Sequence, residues 1–403
     1  MQRHMQVHSG DWFCRWVSIL FIVLLVSNVW AQAPSGGALD LGKFPIIKNL
    51  PDPFLLNGGT RVATRADWMK RREEIKELLF QYQYGHMAPP PGNVKGSEIS
   101  AQQVEGLGAS ERQILLSMGP AQKLTFRLIL TVPSGDGPFP VIVKGDLCWG
   151  RVPSAILAAA IKRDYMVAEF DRTEVALDSA DRAKGVYPLY PDQDWAALAA
   201  WAWGYQRVVD YLVAQKFVDG KRVIVTGHSR GGKAVLLAGA LDERIALTAP
   251  NGSGCGGGGC YRIQGEKSED IGAITARFPY WFHPRLASFV GHVDQLPFDQ
   301  HYLKALVAPR SLFSTEALGD LWANPLGSGV SYLAAKEVFK FLGASSKVGI
   351  HYREGKHEQN AEDWNALLDF ADCQLQGKPS GAAFDKLPFS NVPEAYSWKS
   401  PAP

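Results

Sequence analysis

A serine in the middle of the chain lies in a setting that suits nucleophilic catalysis. Ser229 is the central residue of Gly227-His-Ser-Arg-Gly231, which fits the pattern Gly-x-Ser-x-Gly. Residues 222–226 before it are rich in β-branched side chains, and residues 233–241 after it are rich in Ala and Leu. These runs predict a strand and a helix joined by a tight turn. Small glycines at both flanks permit a strained turn that exposes the hydroxyl, so the sequence predicts a nucleophile elbow.

A serine hydroxyl needs a base, and the base needs an acid that orients it. His357 follows a predicted strand, residues 348–352, by a short loop and precedes a predicted helix. In hydrolases with alternating strands and helices, the histidine occupies this last strand-to-helix loop. His228 is adjacent to Ser229, but its side chain starts from the neighbouring backbone unit and cannot easily reach the hydroxyl. We therefore predict that His357 is the base and that His228 is a packing residue.

The acid is expected between the serine and the histidine, after a strand. Residues 310–315 predict that strand, and Glu316 and Asp320 both follow it. We favour Asp320, and Glu316 is the alternative. Asp363, near the histidine in sequence, is expected to cap the helix that follows it.

Two cations close to the serine need separate interpretation. Arg230 follows the nucleophile directly, so its backbone N–H is a natural donor to an oxyanion and its guanidinium adds positive potential. A second donor is expected from the loop at residues 145–150. Lys233 lies four residues after Ser229 and therefore on the same helical face. A lysine at this position either reaches the surface or bonds a polar substrate, and both interpretations stay open.

Predicted strands and helices alternate along the chain, which is typical of an α/β protein with a mostly parallel sheet and helices on both faces. The predicted strands are residues 124–132, 140–143, 166–170, 222–226, 244–249, 310–315 and 348–352. The predicted helices are residues 67–84, 154–163, 194–217, 233–241, 330–342 and 361–375. Residues 251–305 are irregular and are expected to shape a pocket. Since no linker divides the chain, residues 34–403 are predicted to form a single α/β-hydrolase domain.

The N-terminus has the layout of a signal peptide. Arg3 and Arg15 precede the apolar run 17–26, which is too short to span a bilayer comfortably, and small or polar residues follow to Ala33. We predict a signal peptide within residues 1–33, with cleavage after Ala31 favoured, and a secreted or periplasmic enzyme. An uncleaved membrane anchor is the alternative.

Composition excludes several classes of protein. The net charge is only +2, and charged residues of both signs are spread evenly along the 403 residues. Neither nucleic acid nor a membrane surface is therefore an expected partner. Four cysteines remain after cleavage: Cys148, Cys255, Cys260 and Cys373. Export makes disulfides possible, but the sequence cannot distinguish the three ways in which four cysteines can pair. These cysteines lack the spacing of a structural zinc site. No metal or cofactor is expected, and a monomer is predicted.

The run Gly227-His-Ser-Arg-Gly-Gly-Lys233 resembles the serine motif of the glucuronoyl esterases, carbohydrate esterase family 15, which has Ser-Arg-x-Gly-Lys. Similar motifs follow in order: Ser253-Gly-Cys-Gly-Gly257, Phe278-Pro-Tyr-Trp-Phe282, Leu296-Pro-Phe-Asp-Gln-His301, Ala308-Pro-Arg310, Asp320-Leu-Trp-Ala-Asn-Pro325, and Gly355-Lys-His357 with Asp363-Trp364. The resemblance spans roughly residues 45–380 and is closer to the bacterial branch of the family.

This resemblance implies hydrolysis, without a cofactor, of esters between 4-O-methyl-glucuronic acid of glucuronoxylan and lignin alcohols. By motif position it implies that Ser229 is the nucleophile, His357 the base and Arg230 an oxyanion helper. It also implies that three residues bind the sugar hydroxyls: Lys233, Trp322 and Glu266. Two other functions stay open from sequence. One is an acetyl or feruloyl xylan esterase on the same fold, and the other is a non-catalytic polysaccharide-binding protein.

One motif departs from the fungal pattern. Fungal members carry their acid as Glu in a Gln-Glu-Ser-Gly run after the strand that follows the elbow, whereas Asn251-Gly-Ser-Gly254 has glycine at that place. The acid must therefore come from elsewhere. Asp320 occupies the later position that bacterial members use, so the resemblance and the residue-by-residue argument agree.

Overall fold

The structure, a computed structural model, describes residues 39–401. The predicted signal peptide lies outside the described residues and stays a prediction. Nine strands between residues 39 and 401 form one sheet in the order β1-β2-β3-β5-β4-β6-β7-β8-β9. Their bounds are β1 Lys95–Val104, β2 Ala109–Met118, β3 Leu124–Pro133, β4 Phe139–Lys144, β5 Met166–Phe170, β6 Val218–His228, β7 Ile245–Asn251, β8 Ser311–Ala317 and β9 Val348–Arg353.

The sheet is mostly parallel, as the sequence predicted. The six strands β5-β4-β6-β7-β8-β9 run parallel to one another, while β1, β2 and β3 form an antiparallel ribbon whose strand β3 pairs antiparallel with β5. Each parallel pair needs a crossover connection, which explains why helices alternate with these strands. The carboxyl ends of the parallel strands meet at one edge, where α/β proteins build their sites.

Nine α-helices occur in the described part of the chain. They are α1 Arg65–Leu79, α2 Ser154–Lys162, α3 Arg172–Val175, α4 Ala197–Val213, α5 Arg230–Leu241, α6 Ile271–Arg277, α7 Gln300–Ala305, α8 Pro325–Phe341 and α9 Ala361–Gln376. The predicted helix 67–84 is divided, because α1 passes into a π-helical turn at Phe80–Tyr84. Helix α8 begins earlier than predicted, with Pro325 in its first turn, where proline is well tolerated.

Helix α4 is buried almost all round. Its Trp201, Trp203 and Tyr205 side chains are fully buried, and the Trp201 indole donates a hydrogen bond to the carbonyl of Ala176. A helix that is apolar on every face belongs in a core. It packs against α5 and β6, so the largest aromatic residues of the chain support the elbow from behind.

The β1–β2 hairpin was not predicted. All residues of β1 except Val104 are exposed, and the strand reads Lys-Gly-Ser-Glu-Ile-Ser-Ala-Gln-Gln-Val. It has no apolar alternation, because it lies at the sheet edge and buries little. Its pairing with β2 holds it in place instead of a buried face.

The irregular region 251–305 contains α6, α7 and two short 3-10 helices. It contributes Phe282, Phe298 and other aromatic residues to the main core, so it is packed rather than loose. All four cysteines after residue 38 are free thiols. Within residues 39–401, no helix is long and apolar enough to cross a bilayer, and no group of three metal-ligating side chains converges.

Candidate active site

Ser229 lies at a sharp turn between β6 and α5. Its backbone has φ 55° and ψ −120°, in the left-handed region that a non-glycine residue rarely adopts. A Cβ atom on Gly227 would lie 2.6 Å from the carbonyl oxygen of Gly231, and one on Gly231 would overlap the Asp146 carboxylate. Both flanking positions therefore require glycine. The predicted strand, turn and helix are all present.

The hydroxyl of Ser229 is in line with a histidine and a carboxylate. His357 Nε2 lies 2.8 Å from Ser229 Oγ, and His357 Nδ1 lies 2.5 Å from Asp320 Oδ2. Asp320 follows β8 and is 7% exposed, whereas His357 sits in the loop after β9. A carboxylate at Nδ1 keeps the proton on that nitrogen, which leaves Nε2 free to accept from the serine. The structure thus brings together the three residues that the sequence singled out.

The loop that carries His357 is fixed by a buried ion pair. Arg353 Nε donates to Asp363 Oδ2 at 2.7 Å, and its guanidinium also donates to the carbonyls of Lys356 and Glu358, at 3.2 and 2.6 Å. Asp363 accepts the backbone N–H of Asn360 in a capping box at the start of α9. The expected helix cap is therefore present, and it also holds the guanidinium that fixes this loop.

His228 lies beside His357 without bonding the serine. Its Nδ1 is 2.6 Å from Asn251 Oδ1, and its ring centroid is 4.5 Å from that of His357. Burial lowers the pKa of His228 to about 4, and repulsion from His357 adds to this. A neutral ring packed against the base fits the predicted packing role.

Glu316, the alternative acid, points into the protein. It is 1% exposed at the end of β8, and burial raises its pKa to about 8, opposed by the charge of Lys304. Asp320 is the acid that bonds His357.

The Arg230 side chain is held against one wall of the site. Its Nη1 donates to Asp178 Oδ2 at 2.6 Å, and its guanidinium lies 4.5 Å from the ring centroid of Trp281 and 5.0 Å from that of Phe278. The Trp281 indole donates to the same Asp178 carboxylate at 2.8 Å. This network keeps a cation at the start of α5, next to Ser229.

The loop after β4 is pinned to the elbow by Asp146. Its buried carboxylate accepts the His228 N–H at 2.8 Å and is paired with Lys144 and Arg172, each at 2.6 Å. Burial alone would raise the pKa of Asp146, but the two cations hold it below its ordinary value. The backbone N–H of Gly145 donates to the Tyr205 hydroxyl and is committed inside the protein.

A second set of polar groups belongs to α5 and to the segments after β7 and β8. Lys233 is 4% exposed, and its Nζ donates to the carbonyl of Ser253 at 2.6 Å. Glu269 is also 4% exposed, and its Oε1 has no hydrogen-bond partner. Its backbone N–H donates to the carbonyl of Trp322, whose side chain is half-exposed. Lys233 is thus a buried cation beside the elbow rather than a surface lysine.

Electrostatics couple Lys233 and Glu269. Burial raises the pKa of Glu269, opposed chiefly by the charge of Lys233 and also by Arg277. Burial likewise lowers the pKa of Lys233, opposed by Glu269. Each charge supports the other in a site that is largely shielded from water.

Glu266 does not belong to this cluster. Its side chain is 79% exposed, and its carboxylate lies 3.7 Å from the ammonium of Lys267. Sequence reasoning missed Glu269, three residues later, because both acids lie in an irregular stretch without periodicity. Asp270, the N-cap of α6, was the one local signal that a helix begins there.

Sequence comparisons find relatives of this chain. A sequence profile described as "Glucuronyl esterase, fungi" matches residues 118–343. The 4-O-methyl-glucuronoyl methylesterase of Podospora anserina is 35% identical, with 81% of this chain and 68% of that protein aligned.

Solved structures show the same relationship. A family 15 glucuronoyl esterase from Caldicellulosiruptor kristjansonii superposes with a TM-score of 0.77 at 32% identity, covering 90% of this chain and all of that one. A variant of the Sporotrichum thermophile enzyme, in complex with methyl 4-O-methyl-beta-D-glucopyranuronate, gives 0.70 at 30% identity, covering 84% and 90%. These neighbours confirm the α/β-hydrolase fold. The resemblance seen in the motifs is therefore confirmed over most of the chain, which belongs to the glucuronoyl esterase family, carbohydrate esterase family 15.

Proposed function

We propose that this protein is a serine esterase that cleaves the ester between 4-O-methyl-glucuronic acid of glucuronoxylan and a lignin alcohol. The observation that carries the proposal is the hydrogen-bonded series Ser229, His357 and Asp320, with a buried lysine and a buried glutamate beside it. Membership of a family whose relatives are named 4-O-methyl-glucuronoyl methylesterases supplies the substrate class.

The reaction is a two-step acyl transfer that uses the residues of this chain. His357 Nε2 takes the proton of Ser229 Oγ as the oxygen attacks the uronate carbonyl, and Asp320 stabilises the imidazolium that forms. The backbone N–H of Arg230 faces the developing oxyanion, and its guanidinium adds positive potential. His357 then gives the proton to the departing alcohol. Water, activated by the same histidine, hydrolyses the glucuronoyl-serine.

We assign recognition of the sugar acid to the cluster of Lys233, Glu269 and Trp322. A uronic acid carries hydroxyls, and a pocket that binds them needs polar groups that are not already saturated. Glu269 keeps a free oxygen, Lys233 has further N–H donors, and Trp322 offers an exposed indole. Glu269 takes the place that the motif comparison had given to Glu266. Buried polar groups of this kind reject acids that lack the matching hydroxyls.

The alternative enzyme, an acetyl or feruloyl esterase, does not account for the cluster of Lys233, Glu269 and Trp322. An acetyl group has no hydroxyls to bind, so a buried Lys233 beside Glu269 would only cost desolvation energy. A non-catalytic binding protein has no need of a strained serine aligned with a histidine and a carboxylate. The buried charges of Lys233 and Glu269 argue against the first alternative, and the hydrogen-bonded series Ser229, His357 and Asp320 argues against the second.

We further propose that the mature enzyme is exported and monomeric. The basic residues and apolar run before Ala33 support export. N-terminal sequencing of the mature protein and its elution volume on a sizing column test the two statements.

The test of the activity compares two esters in two proteins. Benzyl glucuronate and 4-nitrophenyl acetate are offered to the wild type and to Ser229→Ala. We expect Ser229-dependent cleavage of the uronate ester with weak acetate turnover. Good acetate turnover without uronate cleavage would contradict the substrate while keeping the serine hydrolase. Uronate cleavage that survives Ser229→Ala would contradict the mechanism.

A further inference from the structure

A second half-exposed tryptophan borders the site, and none of the roles above uses it. Trp149 ends a 3-10 turn, Leu147–Trp149, in the loop after β4, and it is 49% exposed. Trp322, after β8, is 46% exposed. Large aromatic side chains that are exposed beside a cleft offer contact area to a ligand at low entropic cost.

Trp149 is held in place by cations and by the elbow. The guanidinium of Arg172 lies 4.3 Å from its ring centroid, and Arg172 is fully buried and ion-paired with Asp146. The guanidinium of Arg230 is 5.6 Å away, and the His228 ring meets it edge-on at 6.0 Å. Since cations cover only part of the indole, a fixed aromatic surface remains open to solvent.

Strand order separates the loop that carries Trp149 from the segments that carry most of the sugar cluster, although Arg230 contacts both Trp149 and Trp281 of the segment after β7. In the strand order, β4 neighbours β6 on one side, and β7 and β8 follow on the other. Ser253 and Glu269 follow β7, and Trp322 follows β8, so the residues assigned to the sugar acid share that side. The loop with Trp149 follows β4. An ester carbonyl has two substituents, and when the sugar acid occupies the β7–β8 side, the alcohol extends toward the β4 side.

We propose that Trp149 binds the alcohol half of the ester and selects aromatic alcohols over small aliphatic ones. This inference rests on the proposed function, because it assumes that the acid half lies against Lys233 and Glu269. The open part of the indole stacks against, or meets edge-on, the aryl ring of a benzyl-type alcohol. An aliphatic alcohol such as methanol leaves this surface uncovered. Trp149 is thus a specificity residue for the leaving group.

The test uses the ratio of kcat/KM for benzyl glucuronate to that for methyl glucuronate. An aromatic contact of this kind favours the benzyl ester, and its loss in Trp149→Ala is expected to lower the ratio about two- to tenfold. Trp149→Phe keeps a ring and is expected to retain most of the preference. Trp322→Ala is the matched control, since it removes the tryptophan on the sugar side and is expected to slow both esters in parallel. A general loss of folding cancels in the ratio.

Each outcome decides the matter. A ratio that falls in Trp149→Ala but not in Trp322→Ala supports the inference. Parallel loss of both esters in Trp149→Ala would overturn it and leave Trp149 as a support of the elbow. An effect of Trp149→Ala that appears only when the methyl uronate is attached to a xylo-oligosaccharide would overturn it and would indicate that Trp149 contacts the xylan chain. Cleavage of neither ester by the wild type would instead refute the proposed function.

Discussion

The two flanks of Ser229 carry similar charged side chains, but these side chains differ in how fully they are hydrogen-bonded within the protein. On the β4 flank, Asp146 is surrounded by Lys144, Arg172 and a backbone N–H, so its charge is satisfied within the protein. On the β7–β8 flank, Lys233 makes one hydrogen bond and Glu269 keeps an unpartnered oxygen. Two guanidinium nitrogens of Arg172 lack a partner, but the Asp146 carboxylate itself is fully paired and fixes the elbow. The Glu269 carboxylate instead keeps an oxygen that can accept a hydrogen bond from a ligand.

The flanks also differ in what they present to the cleft. The β4 flank offers an indole backed by cations, and the β7–β8 flank offers a cation and a carboxylate beside a second indole. An ester of a sugar acid with an aromatic alcohol has one polar half and one apolar half. The asymmetry of the site matches this asymmetry, and the predictions below change one side or the shared centre at a time.

The largest expected effect comes from the centre that both flanks share. Asp320→Asn removes the carboxylate that keeps the His357 proton on Nδ1, and kcat is expected to fall on the order of 10⁴-fold for every ester. Glu316→Gln is the control, because Glu316 is also buried, at the end of β8, but faces Lys304. Its kcat for correctly folded protein is expected to stay near that of the wild type. Equal losses in the two variants would mean that Asp320 acts through stability alone.

The polar flank is broken by Lys233→Met. On the proposed role of Lys233 in binding substrate hydroxyls, loss of its buried ammonium is expected to lower kcat/KM for benzyl glucuronate by about 10- to 100-fold. Turnover of 4-nitrophenyl acetate is expected to change far less. Lys304→Met is the matched variant, since Lys304 is likewise buried and donates to a backbone carbonyl, that of Ser328. Lys304→Met should change the melting temperature and leave the ratio between the two esters intact. If both variants shift that ratio alike, the lysine beside the elbow has no special role.

A smaller effect separates two glutamates that are three residues apart. Glu269→Gln changes a buried acceptor and is expected to lower kcat/KM for the uronate ester by about tenfold. Glu266→Gln changes an exposed side chain and is expected to have no measurable effect. Steady-state kinetics on methyl glucuronate distinguish the two. A defect confined to Glu266→Gln would restore the assignment made from the motif.

The smallest effect on turnover is expected at His228, where the consequence is a pH-dependent stability. Its pKa is lowered to about 4 in the folded protein, against about 6.5 when unfolded. Between these values only the unfolded chain binds the proton, so stability is lost as pH falls from 6.5 to 4. The linkage amounts to about 3 kcal/mol at most.

His228→Gln removes that linkage. Denaturant unfolding at pH 7 and pH 4 is expected to show a smaller drop in the free energy of unfolding for the variant than for the wild type. His301, whose pKa burial also lowers to about 4, remains in both proteins and provides the common background. An identical drop in the two proteins would show that His228 is not held neutral.

The sequence was sufficient to predict the hydrogen-bonded series Ser229, His357 and Asp320 and the parallel part of the sheet. Each strand from β3 to β9 carries a β-branched or apolar run, and the turn around Ser229 has glycines where a Cβ atom would clash. Chain order and strand ends then pointed to Asp320 and His357. These signals are local, so they survive without knowledge of the fold.

What sequence could not supply depends on tertiary packing. Strand β1 is polar and exposed, so it has no periodicity to detect. Glu269 and Glu266 are alike in sequence, and only the folding of the irregular region 251–305 buries one and exposes the other. The position of Trp149 relative to Ser229 depends on the order of the strands in the sheet, which differs from their order along the chain.

The most direct test of the central claim is to trap the acyl-enzyme. The wild type is mixed with benzyl glucuronate, quenched in acid within milliseconds, digested and analysed by peptide mass spectrometry. We expect a glucuronoyl adduct on the peptide that contains Ser229, formed together with the first equivalent of benzyl alcohol and absent from Ser229→Ala. An adduct on another residue, or rapid alcohol release from Ser229→Ala, would contradict it.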